Sequence, residues 1–331
     1  MSARAGIACA GNWILDTVHD IARWPEKSDL VEITAQRSGL GGGAANVACD
    51  LVTMGAPYPV VPVGLVGHDA AGEKALTLAA SAGLATDRIR RTDRAATGET
   101  HVMNVPGDSR TFFYHGGAND LLDETHVDPD GLAETGLRIF YLGYVGLLGA
   151  LDRVDAAGSS GSARLLARAR RLGMTTCVDL VSSTAADYRD KVFATLPEID
   201  VLLLNEVEAH RATGRAISGP EDAQGMEAAA RALRDGGVRR AVIVHSARAT
   251  VWLEADAVEV FTPAPVPPER IASTVGAGDA FAAGVLHGLH EGWRRDRAID
   301  LAFRAAAACL GGATATDGLE TLGKPLAMPG R

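Results

Sequence analysis

Short runs of apolar residues recur along the chain at positions 7–10, 60–66, 138–142, 174–179, 201–204 and 241–244. A strand that is apolar throughout is buried on both faces, as in a parallel sheet covered by helices above and below. Between these runs, residues 162–172 and 227–235 place apolar side chains at helical spacing, and Gly173 and Gly236 suit C-terminal caps. Residues 279–289 and 296–310 carry helical patterns at the C-terminal end. The alternation predicts an α/β fold, a doubly wound and mainly parallel sheet flanked by helices. The proline-rich stretch 263–268 reads as a loop between two elements.

Two stretches break the alternation. Residues 30–37 and 99–114 alternate polar and apolar positions like exposed strands, and the second contains Pro106-Gly107-Asp108-Ser109, a hairpin turn. Strands without helical partners are expected to form a small separate sheet. Such a sheet is either edge decoration or a lid over a site at the carboxyl ends of the main strands. The lid reading places its strands at about 12–40 and 97–118, inserted in a single domain covering 1–331.

Composition narrows the class. The 331 residues are 47% hydrophobic and 22% charged, ordinary for a globular protein. A net charge of -9 argues against a nucleic-acid or acidic-membrane surface but leaves room for a small phosphorylated ligand held by backbone amides. Cys9, Cys49, Cys177 and Cys309 are scattered and form no CxxC pair, which suits buried thiols in a reducing compartment. The N-terminal residues show no signal-peptide pattern, and no apolar run reaches membrane-spanning length. The expected location is the cytoplasm.

The densest chemistry lies in Ser273-Thr274-Val275-Gly276-Ala277-Gly278-Asp279-Ala280-Phe281. Gly276 and Gly278 let the backbone turn tightly against a ligand, and a helix pattern begins at Asp279. Exposed amides at a helix start form an anion hole. A carboxylate beside such a hole is misplaced as an anion binder but makes sense as a base. It takes the proton from a hydroxyl attacking a γ-phosphoryl group while the amides stabilise the transferred charge. The plainer alternative is an Asp at a helix start after a glycine turn.

This stretch resembles the C-terminal signature of the ribokinase-like (PfkB) carbohydrate kinases. Gly41-Gly42-Gly43-Ala44-Ala45-Asn46 resembles their N-terminal signature, and Gly64-Leu65-Val66-Gly67-His68-Asp69 with Gly72 resembles the segment that follows it. Gly11-Asn12-Trp13-Ile14-Leu15-Asp16 resembles their opening segment. The matches run in family order through most of the chain. The resemblance implies a ribokinase-like fold with a β-sheet lid, ATP as donor and a sugar or polyol hydroxyl as acceptor. It makes Asp279 the catalytic base, with Gly276, Ala277 and Gly278 as the anion hole. Asp16, Gly41, Gly42 and Asn46 are then sugar contacts: a carboxylate accepts two hydroxyl hydrogen bonds, glycines let a sugar lie against backbone, and Asn46 both donates and accepts.

After the run at 201–204 stands Asn205-Glu206-Val207-Glu208. The resemblance makes Asn205 and Glu208 organisers of Mg2+ and phosphates, and Asp179 a further candidate there. Magnesium takes oxygen ligands and keeps several waters, so few protein groups suffice. His245, Ala247 and Thr274 fall on the nucleotide side, with Asn205. The segment Arg110 to Asn119 resembles a lid return that brings Asn119 to the sugar, with Asn104 on the preceding strand as a further contact. Apolar lid residues such as Phe112 and Tyr114 are expected to meet a second chain, giving a homodimer.

Other patterns are decoys. Gly318 to Lys324 nearly spells a phosphate-binding loop, but Pro325 stands where Ser or Thr must bind magnesium. Gly39 to Ala44 fits a loose dinucleotide pattern with no acidic residue ~20 positions on to hold a ribose. A nicotinamide oxidoreductase is therefore set aside. A nucleoside kinase and a non-catalytic sugar or nucleotide sensor stay open as alternatives. The sensor draws on residues 244–251, which lack the glycines expected on the nucleotide side.

One departure concerns potassium, which activates many relatives through an Asp preceding the signature Thr. Here that residue is Ser273, which offers an oxygen dipole without formal charge. Weak potassium activation or none is expected, with a gain in Ser273→Asp. Initial rates against potassium at constant ionic strength measure it, and strong activation of the parent at low millimolar potassium would contradict it.

Overall fold

The computed structural model describes residues 4–105 and 110–326, so the expected turn at 106–109 lies outside the described residues. In chain order the strands are β1 (Ile7–Gly11), β2 (Ile14–Ile21), β3 (Ile33–Gly41), β4 (Val60–Gly67), β5 (Ile89–Thr92), β6 (Gly98–Asn104) and β7 (Thr111–His115). They continue as β8 (Ile139–Val145), β9 (Thr175–Leu180), β10 (Val201–Asn205), β11 (Ala241–His245), β12 (Thr250–Glu254) and β13 (Ala257–Phe261). The helices are α1 (Gly43–Thr53), α2 (Ala70–Ser81), α3 (Glu124–Val127), α4 (Pro129–Glu134), α5 (Gly161–Arg171), α6 (Tyr188–Thr195), α7 (Glu206–Thr213), α8 (Ala223–Asp235), α9 (Ala277–Glu291) and α10 (Arg295–Cys309).

The main sheet has the order β13-β12-β11-β10-β9-β8-β1-β4-β5. It is parallel from β11 to β5, and β12 and β13 add an antiparallel edge. The expected doubly wound sheet is present, and each apolar run coincides with a strand to within a residue or so. Successive strand residues feed the two faces alternately. Ala8, Ala10, Leu202 and Leu204 pack with α5, α6 and α8, whereas Ile7, Cys9, Val201 and Leu203 pack with α1, α2, α9 and α10. Burying both faces is what makes these strands apolar throughout. From β1 the chain first winds outward to β4 and β5, then crosses to β8 and onward. The reversal falls between β1 and β8, and a crevice at the carboxyl ends of strands opens at such a point.

The second sheet has the order β3-β2-β6-β7. Two strands of the small sheet differ from the sequence reading. β2 was not foreseen as a strand, and it is the centre of the small sheet, antiparallel to β3 and parallel to β6. β3 begins at Ile33 and runs on into Gly41, so the glycine run ends a strand before opening α1. α8 ends on Gly236 as its C-cap, as expected, and the next residue, Gly237 (φ 127°), takes the positive-φ conformation.

The lid is anchored to the main sheet at buried polar contacts. Asn12 and Trp13 are the two residues between β1 and β2, and the Trp13 backbone N–H donates to Asn119 Oδ1 (2.9 Å) while its carbonyl accepts from Asn119 Nδ2 (3.0 Å). Asp69 caps α2 through the Gly72 amide (2.8 Å) and holds the chain entering β6 through the Thr97 amide and hydroxyl (both 2.7 Å). One carboxylate thus fixes both the β4–α2 turn and the approach to a lid strand. These contacts tether the small sheet beside the β1/β8 crevice.

Candidate active site

Asp279 occupies the third position of α9 and is 2% exposed. Gly276 precedes the helix in a left-handed conformation (φ 82°), and a Cβ there would lie 2.1 Å from the Ala315 carbonyl oxygen. Both constraints demand glycine. No side chain caps the first turn of α9, so its amides stay available to an anion. α1 packs beside α9, and Asn46 Nδ2 donates to Asp279 Oδ2 across 2.8 Å. The Tyr144 hydroxyl, from the end of β8, donates to the same oxygen, also at 2.8 Å. Asp279 Oδ1 and Asn46 Oδ1 are buried without a partner. Burial pushes the Asp279 carboxyl up to about 6; the Asn46 and Tyr144 hydrogen bonds oppose that shift and the charge of Asp16 adds to it.

Asp16 lies inside β2, opposite Gly39 and Thr100. Its carboxylate sits against Gly41, where a Cβ would come within 2.2 Å of Oδ2. Burial raises it to about 6, with a hydrogen bond from Thr100 acting the other way. Gly42, at the N-cap of α1, has φ 94°, and a Cβ there would strike the Asn12 carbonyl oxygen at 2.5 Å. Asp16, Gly41, Gly42, Asn46 and Asp279 are therefore brought together from β2, β3, α1 and α9.

Asn205 and Glu208 form a reciprocal cap at the start of α7. The Glu208 amide donates to Asn205 Oδ1, the Asn205 amide donates to Glu208 Oε2 (both 2.9 Å), and Ser182 Oγ donates to Glu208 Oε1 (3.0 Å). Burial raises the Glu208 and Asp179 carboxyls; the charge of Glu208 and then that of Asp279 add to the shift at Asp179, and Asp279 adds to that at Glu208. Both border a cavity of about 160 Å³ together with Asn205, Tyr144, Gly278 and Asp279. A second cavity of about 600 Å³ shares Asn205, His245 and Gly278 and runs out past Ala247 and Thr274 to an apolar wall that includes Phe281 and Phe303. His245 stacks on Phe281 (4.6 Å between ring centres), and burial lowers its pKa to about 4, so it stays neutral. Residues 244–251 turn without glycine because Ser246 Oγ accepts from the amides of Arg248 and Ala249 and donates to the Pro220 carbonyl.

Two expected sugar contacts are engaged elsewhere. Both ends of the Asn119 amide are spent on Trp13, so its visible role is to hold the β1–β2 crossing. Asn104 donates to Asp20 (2.7 Å) and accepts from Arg110 Nε (3.2 Å). Arg110 then reaches Ser273 Oγ at 2.6 Å, tying the lid to the loop before α9. Sequence reasoning missed Tyr144 and Arg110. Tyr144 stands in Gly143-Tyr144-Val145-Gly146, whose glycines mark a turn but give no sign that the ring faces α9.

The pattern of the pfkB family carbohydrate kinases matches residues 6–322. Among curated proteins, adenosine kinase of Saccharomyces cerevisiae is 24% identical over 279 residues, 82% of this chain and 78% of the relative. The 1-phosphofructokinase of Rhodobacter capsulatus is 29% identical over 256 residues, 77% and 74% of the two chains. Among solved structures, Arabidopsis thaliana ribokinase complexed with ribose and ATP superposes with a TM-score of 0.77 at 21% identity, covering 99% of this chain and 100% of its own.

The raised pKa of Asp279 has a stability consequence. Its folded value of about 6 lies above the ordinary carboxylate value. Between those two pH values the native state keeps a proton that the unfolded chain has lost, so stability falls as pH rises through that window. Above it, the ionised group costs about 3 kcal/mol as an order of magnitude. Asp279→Asn is expected to be more stable than the parent at pH 7.5 by about 1–3 kcal/mol, with the gain vanishing near pH 4. Urea unfolding at the two pH values measures it; a gain equal at both, or none at either, contradicts the assignment.

Proposed function

The chain belongs to the pfkB family of carbohydrate kinases, phosphotransferases with an alcohol group as acceptor, and from that membership we propose that it moves the γ-phosphoryl group of ATP to a hydroxyl of a sugar, polyol or nucleoside. Asp279 Oδ1 takes the proton from the attacking hydroxyl. The hydroxyl oxygen bonds to the γ-phosphorus as the bond to the bridging oxygen breaks, and ADP leaves. Backbone amides at Gly276, Ala277 and Gly278 stabilise the charge on the group in transfer. The observation that carries this reading is the asymmetry of the Asp279 carboxylate: one oxygen is fixed by two donors, and the other is bare beside an uncapped helix start.

The donor nucleotide fits the cavity of about 600 Å³ beside His245, Ala247 and Thr274. The cavity leaves room for a nucleotide although residues 244–251 lack the glycines, and the retained Asp279, with Oδ1 free of partners, favours the kinase over the sensor reading. For magnesium, Asn205, Glu208 and Asp179 offer only oxygen donors, and the Glu208 oxygens already accept hydrogen bonds. They fit an ion held largely through its own waters, which would neutralise phosphate charge. Among the described residues no group of three or more His, Cys, Asp or Glu is arranged as a metal cage. Ser273 meets the Arg110 guanidinium, which puts a positive charge where a potassium ion would be drawn, in line with weak activation.

On the acceptor side we assign Asp16, Gly41, Gly42 and Asn46, with Asn46 Oδ1 free to receive a hydroxyl. Closure of the lid excludes water, which competes as acceptor. Phe112 and Tyr114, exposed on one face of β7, fit a second copy of the chain, and a monomer in sedimentation velocity would remove that part. Four free, buried cysteines and an ATP-consuming reaction suit the cytoplasm, and no described helix is long and apolar enough to cross a membrane.

The test is ADP release with a panel of sugars, sugar phosphates, sugar acids and nucleosides. Asp279→Asn is expected to lower turnover ~10²–10⁴-fold on whichever acceptor works. Asp16→Ala is expected to raise the acceptor KM at least ~10-fold, from hydrogen bonds to a charged group, with the ATP KM nearly constant. Turnover of Asp279→Asn within twofold of the parent, or an unchanged acceptor titration in Asp16→Ala, removes the respective assignment.

A further inference from the structure

Tyr144 adopts a left-handed backbone conformation, φ 64°. A residue with a side chain takes that conformation at a cost, and a glycine would take it freely. It lies where the β8–β9 register slips between Leu142 and Val145. The strained turn carries the ring across the start of α1. A Cβ on Gly43 would lie 2.7 Å from Tyr144 Cδ1, so the ring passes only because residue 43 is glycine. The arrangement ends in the hydrogen bond from the Tyr144 hydroxyl to Asp279 Oδ2. The strain at 144 and the missing side chain at 43 thus serve the same contact from two elements about 100 positions apart in sequence. With Asn46 on the same oxygen, the carboxylate cannot rotate without breaking two hydrogen bonds, and Oδ1 is the oxygen left without a partner.

We propose that Tyr144 is a positioning residue for phosphoryl transfer, its hydroxyl locking the Asp279 carboxylate so that Oδ1 alone faces the acceptor. This rests on the reading of Asp279 as the base. Burial and the charges of Asp279 and Asp179 hold the Tyr144 phenol well above its ordinary range, so it remains a donor at every working pH. Asp279 also faces Asp16 from β2, Asp50 from α1, Asp179 from β9 and Glu208 from α7. Tyr141 on β8, His245 on β11 and Cys309 on α10 are its neutral neighbours. Asp16 is the neighbour whose charge disfavours ionisation of Asp279, and against it a neutral donor on Oδ2 favours the charged, proton-accepting form.

The experiment compares Tyr144→Phe, Gly43→Ala and Asp279→Asn with the parent, on whichever acceptor the panel identifies. Tyr144→Phe keeps the ring and loses the donor. It is expected to lower kcat about tenfold or more, to change both KM values less than about threefold, and to move the acidic limb of the kcat/KM profile upward by about half a pH unit or more. Gly43→Ala keeps the hydroxyl but pushes the ring aside, and is expected to shift kcat and the acidic limb in the same directions. A parental kcat and acidic limb in Tyr144→Phe, beside an inactive Asp279→Asn, overturns the role of Tyr144 and leaves the base assignment standing. A loss of kcat with an unmoved acidic limb also overturns it, since a merely structural defect would do that. Parental turnover in Asp279→Asn removes the base reading and this proposal with it.

Discussion

Asp279 is held out of water at the first turn of α9, and burial alone disfavours its charge. The surroundings compensate in part. The helix start offers the positive end of its dipole and uncapped amides, and Asn46 and Tyr144 both donate to Oδ2. The compensation is incomplete, because Asp16 adds like charge nearby. The carboxyl therefore stays poised near 6, ionised at neutral pH yet basic enough to accept a proton. A solvated carboxylate would be cheaper for the fold and weaker as a base.

The requirement for this poise reaches outward through the architecture. α1 must lie against α9 to deliver Asn46, and it starts at the glycine run that ends β3. β8 must end beside β1 to deliver Tyr144, which the reversal of strand order between those two strands provides. The small sheet leaves β1 after only two residues and carries Asp16 over the same crevice, held there by Asn119 and Asp69. Arg110 extends from the lid to Ser273. The proposed acceptor side, base and phosphate side are thus mechanically connected through a few polar contacts at least partly out of solvent.

The main sheet was legible because its strands are apolar on both faces, a property written locally in runs such as 201–204. The lid was legible as a separate sheet from its alternating pattern, yet β2 escaped notice. Its two half-buried residues, Asp16 and Asp20, are polar, and Leu15, Val18 and Ile21 reveal their burial only once β3 and β6 pair beside them. The short edge hairpin β12–β13 was also missed, because half of β13 is exposed and carries no apolar run. Asn104 and Asn119 were read as sugar contacts from their place in the lid, but an asparagine serves a backbone as readily as a ligand. Their partners Asp20, Arg110 and Trp13 are set by packing.

By itself the sequence determined the alternation of strands and helices, the glycine turn before Asp279 and the oxygen-rich chemistry at Asn205 and Glu208. Each of these depends on neighbours within a few positions: apolar runs, positive-φ glycines and a reciprocal helix cap are local. Tertiary structure alone decided which oxygen of Asp279 is free, because Asn46 is 233 positions away and Tyr144 is 135. It also decided that Asp16 lies on a lid strand, that Asn119 serves Trp13, and that Gly43 leaves room for a tyrosine on another element. Contacts between residues so far apart follow from the order in which strands join a sheet, and no short stretch of sequence encodes that order.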